Sequence, residues 1–289
     1  MNVRGTQSLV EVVAACAKRP GLLAIELLWR WGFGIPALAL LGYEGMRLLA
    51  NPALSRENLP DLSLQDPLAA AQQAASTVHQ LVAPVLGLIR WLFPVLAVGW
   101  AAASGLGRSV LLKRLDPGMR FAPFTLMALQ LLRIFALAAA AIGWFAAVRW
   151  AAGFTLYRAE PNLVAYFAWV ICLSLSASVL WAIVSWTISI APLVAMIDGV
   201  GVGGSLARSL RLGPLAGKLV EANLVLIIVK LALTVLAMFF STMVLPFTSA
   251  TGEPLYIWWA AVCVLYLAAS DFFQVARLAL FVKLWRMYR

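Results

Sequence analysis

Residues 163–197 read LVAYFAWVICLSLSASVLWAIVSWTISIAPLVAMI, and residues 219–247 read LVEANLVLIIVKLALTVLAMFFSTMVLPF. Between them runs a polar, glycine-bearing link, DGVGVGGSLARSLRLGPLAGK, from Asp198 to Lys218. Each apolar run exceeds the ~20 residues an α-helix needs to cross the hydrocarbon of a bilayer. The link carries Arg208, Arg211 and Lys218, so the positive-inside rule puts it on the cytoplasmic side. Two such spans joined by a basic inner link decide the fold class: all-α, a polytopic transmembrane helical bundle.

The rest of the chain has the same character. Of 289 residues, 63% are hydrophobic and 12% charged, and the mean hydropathy is +0.92. A soluble domain carries about twice that charge fraction. A transmembrane barrel would show short segments of period-two alternation, whereas these apolar runs are long and continuous. Four further spans flank the central pair. The expected set is 31–50, 81–104, 123–148, 163–192, 221–246 and 256–281, with short amphipathic interfacial helices between them. Residues 21–289 then form one six-span membrane domain.

Residues 1–20 form a lead in which Leu9, Val12, Val13 and Cys16 recur at helical spacing. Such a stripe predicts an amphipathic helix on the cytoplasmic membrane surface. Glu26 and Arg30 are four apart and can pair on one helical face. Residues 51–67 are polar and proline-bearing, and Leu68–Gln80 reads as a separate interfacial helix on the outer side. Gly105–Arg120, with Arg108, Lys113, Arg114 and Arg120, reads as a cytoplasmic loop. Residues 248–254 carry no basic residue and read as an outer turn, with Trp258 and Trp259 as interfacial anchors. Both termini fall on the cytoplasmic side. Gly105-x-Gly107-x-Ser109 and Gly201-x-Gly203-x-Ser205 echo one another and raise the possibility of a duplicated hairpin.

Net charge is +10. Because the cations cluster at the ends of apolar runs, they predict attraction to anionic lipid head groups, not to nucleic acid. The three cysteines are isolated and His79 is the single histidine, so neither a disulfide framework, a metal site nor a Ser–His or Cys–His pair is expected. Gly199-x-Gly201-x-x-Gly204 matches a dinucleotide fingerprint in letters, but that motif needs a strand before it. No catalytic, cofactor or metal residues are assigned.

The informative residues are charges inside spans. A charge at mid-bilayer costs ~2.5–3.5 kcal/mol even on lenient scales, so each needs a partner, a wet cavity or a route to the interface. Asp271, Arg133 and Lys230 form the expected intramembrane polar site, each roughly 12–15 Å from a cytoplasmic helix end at ~1.5 Å per residue. Asp271 is expected to pair with Arg133 or Lys230, with snorkelling as the alternative for the two cations. Glu44 and Arg90 are an expected outer-half pair. Arg208, Arg211 and Lys218 form an expected cytoplasmic surface site, either an interfacial helix docking on lipid or a phosphate- or partner-binding face.

At Ala191-Pro192-Leu193-Val194, then Asp198-Gly199, then Ser205-x-x-x-Ser209, the chain resembles bacterial integral membrane proteins related to the membrane domain of glycerophosphodiester phosphodiesterases. The resemblance covers roughly residues 165–245. It implies a helical membrane bundle of a bacterial inner membrane and carries over no catalytic residue. The leading expectation is therefore a non-enzymatic scaffold, assembly or accessory subunit, with a membrane protein partner or a second copy as its associate. The alternatives are a small-solute or lipid transporter using the intramembrane charges, and a lipid-acting enzyme.

Overall fold

The computed structural model describes residues 5–50, 67–157, 160–211, 214–242 and 253–288. The polar stretch 51–66, Arg158 and residues 243–252, with most of the expected outer turn 248–254, lie outside the described residues. Among those described there are eight helices and no strand: α1 (Gly5–Ala17), α2 (Pro20–Leu49), α3 (Pro67–Leu115), α4 (Pro123–Thr155), α5 (Leu163–Asp198), α6 (Val202–Ser209), α7 (Pro214–Thr242) and α8 (Glu253–Tyr288). Six of them, α2, α3, α4, α5, α7 and α8, are long and apolar enough to cross a membrane. The chain is a multi-pass helical membrane protein.

The helices are longer than the expected spans. α3 has 49 residues and takes in both Leu68–Gln80 and 105–115, which reduces the expected loop after it to a tight link. The Ala- and Gln-rich segment is a strong helix former, and Pro84 and Pro94 lie inside the helix without ending it. The link is built on Asp116: the Gly118 amide donates to its Oδ1 at 3.1 Å, the Met119 amide to its carbonyl at 3.1 Å, and its other carboxylate oxygen pairs with Arg286.

Residues 30–103 form one compact unit, in which Phe33 packs against Trp100 with ring centroids 5.6 Å apart and a Cβ on Gly99 would meet the Phe33 ring. The other unit comprises residues 1–29 and 104–289. It is built on two antiparallel hairpins, α4–α5 and α7–α8. At the tip of the first, the Asn162 amide donates to the Thr155 carbonyl and the Asn162 side chain caps α5 at Ala165. Trp169 packs edge to face on both Trp150 and Phe154 there. In the second, Trp258 and Trp259 donate to the carbonyls of Phe240 and Ser241 at 2.9 and 3.0 Å. Those carbonyls belong to the last turn of α7, which has no partners within its own helix. The two indoles thus tie the hairpin together.

Burial divides this unit along its length. The core is made by α1, the end of α3, the start of α4, the end of α5, the start of α7 and the end of α8, with Leu111, Leu129, Ile190, Val194, Leu219 and Leu284 all essentially inaccessible. We call this the core end. Beyond it the helices expose Phe135, Ile142, Leu175, Val179, Leu231, Val235 and Leu265, the pattern of a lipid-facing surface.

α1 has the predicted apolar stripe, but protein covers it. Leu9, Val12 and Cys16 are buried against α7 and α8, and Glu11 pairs with Lys283 at 2.6 Å. Burial pushes the Cys16 thiol above its ordinary pKa. The glycine echo is not carried by like structure. A Cβ on Gly107 would run into the Trp29 ring and one on Gly105 into Met127, whereas Gly203 has nothing within 4 Å. The first pair permits close helix packing. The second pattern opens α6, with Gly201 as its N-cap.

Candidate functional site: a basic cavity between two hairpins

A cavity of about 360 Å³ opens between α4–α5 and α7–α8. α4 contributes Arg133, α7 contributes Asn223 and Lys230, and α8 contributes Arg277. α5 contributes Trp181, Ser185 and Ser189, which are spaced by four and so lie on one face, together with Trp186. The Arg277 guanidinium also stacks on the Phe281 ring at 5.2 Å, which fixes the direction of its side chain.

Of the three expected site residues, Arg133 and Lys230 line this cavity. Asp271 is 5% exposed and lies six residues before Arg277 on α8, and neither Asp271 nor Lys230 is without an interaction partner. The lining brings together three cations and no carboxylate, so the cavity is positively charged. Its remaining chemistry is that of two hydroxyls, an amide and two indoles. That set can hold an oxyanion and one apolar or aromatic flank.

The helix lengths set the level of this cavity. Arg133, Ser185 and Arg277 each stand about 22 residues, or ~33 Å, from the far end of their helix. The hydrocarbon of a bilayer is ~30 Å thick. The turns between these residues and the core end are wrapped in protein: Leu126, Leu129 and Gln130 before Arg133 are buried, as are Ile190, Ala191 and Leu193–Met196 after Ser189. Arg133 and Arg277 stand where the lipid-exposed stretch gives way to the core. Lys230 reaches further, about 12 residues from Thr242, with a long apolar stem.

The other expected sites have local partners. Glu44 forms its ion pair with Arg47, one turn along, at 3.9 Å, and Arg90 is exposed. Arg208 is bound to Asp198, whose side chain is 3% exposed, at 2.7 Å. Lys218 pairs with Glu221 at 3.6 Å, and Arg211 is exposed. α6 seats Ser205 and Ser209 against the core while Leu210 is 69% exposed, so the helix docks on α5 through small hydroxyl residues. The turn into α6 depends on Gly199, which has φ of 63° and lies under the Arg120 side chain, while the Arg120 amide donates to Met196. A Cβ there meets both a left-handed backbone and that side chain.

Arg277 is the residue that sequence reading missed, because a cation near the end of a final span reads as topology. The spacing of Trp181, Ser185 and Ser189 by four, and of Asn223 and Lys230 by seven, was the available signal for the lining. No family model, curated protein or solved structure matches the chain.

Proposed function

We propose that this chain is a non-enzymatic protein of a bacterial inner membrane that holds the head group of an anionic lipid in the cavity between its hairpins, with the core end and both termini facing the cytoplasm. The observation that carries this reading is the convergence of Arg133, Lys230 and Arg277, from three helices, on one cavity beside the protein-wrapped core end. Basic pockets between transmembrane helices on the cytoplasmic side bind anionic head groups, because an anion offsets cations that otherwise repel one another at low dielectric. The orientation is supported by the charges of the core end, where Lys113, Arg114, Arg120, Arg208, Arg211 and Lys283 collect. The role that follows is that of a lipid-anchored scaffold or accessory subunit, in keeping with the resemblance in residues 165–245.

The test is native mass spectrometry of the protein in mild detergent with equimolar phosphatidylglycerol and phosphatidylcholine. The wild type is expected to retain phosphatidylglycerol preferentially, and the Arg133→Gln/Arg277→Gln double variant to lose that preference. Equal retention of both lipids by the wild type sinks the reading.

A further inference from the structure

The wall of the basic cavity carries cations and neutral donors and no carboxylate. Two of its cations are guanidiniums, Arg133 on α4 and Arg277 on α8, and among the described residues neither forms an ion pair. The two are near enough for Arg133 to repel Arg277. Phe281 covers one face of the Arg277 guanidinium at 5.2 Å. A planar guanidinium stacked in this way keeps its N–H donors in the plane, where an anion can reach them. Of the two serines, Ser189 already donates to the Trp186 carbonyl at 2.8 Å, so Ser185 and Asn223 are the small neutral donors left on the wall.

Charge and oxygen count decide which anion suits two guanidiniums. A phosphodiester, the linkage in phosphatidylglycerol, carries one negative charge and two unesterified oxygens. It leaves one guanidinium without a counter-charge in a poorly solvated place. A phosphomonoester carries about −1.5 to −2 near neutral pH and three unesterified oxygens. It matches both guanidiniums in charge and can take a two-pronged contact from each. Because the two arginines crowd one another, a single group lying between them offsets both. We propose that the group held between the hairpins is a phosphomonoester, bound as a dianion by Arg133 and Arg277, and that the lipid is of the phosphatidate class. This rests on the anionic-lipid reading above and narrows it from any anionic head group to one terminal phosphate.

The test compares the affinities of the detergent-solubilised wild type for dioleoyl phosphatidate, phosphatidylglycerol and phosphatidylcholine, for cardiolipin, and for soluble glycerol 3-phosphate. At about pH 8 phosphatidate is expected to bind at least about tenfold tighter than phosphatidylglycerol, the worth of one further charge-assisted contact, and phosphatidylglycerol tighter than phosphatidylcholine. Acidification to about pH 5 protonates a free phosphomonoester, whose second pKa is about 6, and leaves a phosphodiester unchanged. The ratio of the two affinities should therefore fall toward one, with no variant needed. Taking the ratio cancels any titration of the protein common to both lipids; the charged groups on the wall are Arg133, Lys230 and Arg277, and α5 contributes none. Arg277→Gln, which leaves one guanidinium, should lower the ratio at about pH 8 as well. Equal affinity for phosphatidate and phosphatidylglycerol, or a preference that persists unchanged at about pH 5, overturns the phosphomonoester and leaves the head-group reading standing. So does tighter binding of cardiolipin, whose charges sit on two phosphodiesters. If phosphatidate and phosphatidylglycerol bind no better than phosphatidylcholine, it is the head-group reading that fails. Glycerol 3-phosphate bound as tightly as phosphatidate overturns the lipid in both readings and leaves a site for a soluble phosphomonoester.

Discussion

At the scale of single residues, two glycines that look alike in sequence do opposite things. Gly107 lies inside α3, where the Trp29 ring fills the space a Cβ would take, and Trp29 is itself held by a 2.8 Å hydrogen bond to the fully buried Glu26. Neither partner can retreat easily. Gly107→Ala is expected to cost ~1–3 kcal/mol by overpacking. Gly203, near the start of α6, faces open space. There Gly→Ala is expected to be neutral or to add up to ~1 kcal/mol, since alanine stiffens the unfolded chain and favours the helix. Thermal unfolding of both variants in one detergent checks the contrast; equal effects would show that the packing at Gly107 is not tight. The echo of Gly105–Ser109 and Gly201–Ser205 was legible, but its meaning was not. A glycine needed for close approach and a glycine at a helix start leave the same letter, and what faces it is a tertiary fact.

At the scale of elements, the hairpins are defined by what their tryptophans donate to. Trp258 and Trp259 were legible as interfacial aromatics from their place at the edge of an apolar run. That they serve the exposed carbonyls of α7 follows only from the approach of two helices that brings together residues 18 apart in sequence. Trp258→Phe and Trp259→Phe keep most of the ring and remove the donor. Each is expected to cost ~0.5–1.5 kcal/mol and to speed amide exchange in the last turn of α7 selectively. Loss of protection spread over the whole of α7 and α8 would instead show that the indoles act through packing. The same distinction explains α1. Periodicity states that Leu9, Val12 and Cys16 share a face, and it cannot state whether lipid or protein covers that face. It explains α3 too: GLGRSVLLKRL carries the glycines and cations of a loop, yet Leu111 and Leu112 are buried and the segment is helical.

At the scale of the whole molecule, six apolar spans were plain from length and composition, because the bilayer imposes one requirement on every one of them. The site was only half legible. Arg133 and Lys230 stood out because cations inside apolar runs are costly. Arg277 was hidden by its place near the chain's end, and no pattern in one helix could announce a cavity made by four. The three cations have a thermodynamic consequence. In lipid-free detergent Arg277→Gln is expected to leave the melting temperature unchanged or raise it, since one repelling charge is removed. On adding phosphatidylglycerol at about 100 times its Kd, the wild type should gain ~2.7 kcal/mol of stability and the variant much less. A variant that melts lower without lipid and gains as much with it would assign Arg277 to packing alone. The position of α1 bears on how the molecule comes into being. It packs on α7 and α8, and its Glu11 is joined to Lys283 across 272 residues of chain. At ~5–20 residues per second, the ribosome needs roughly 15–50 s between making the two. Throughout that interval α1 has an apolar face with nothing to bury it. The spans can enter the membrane one after another, but the core end closes only when the last of them is complete.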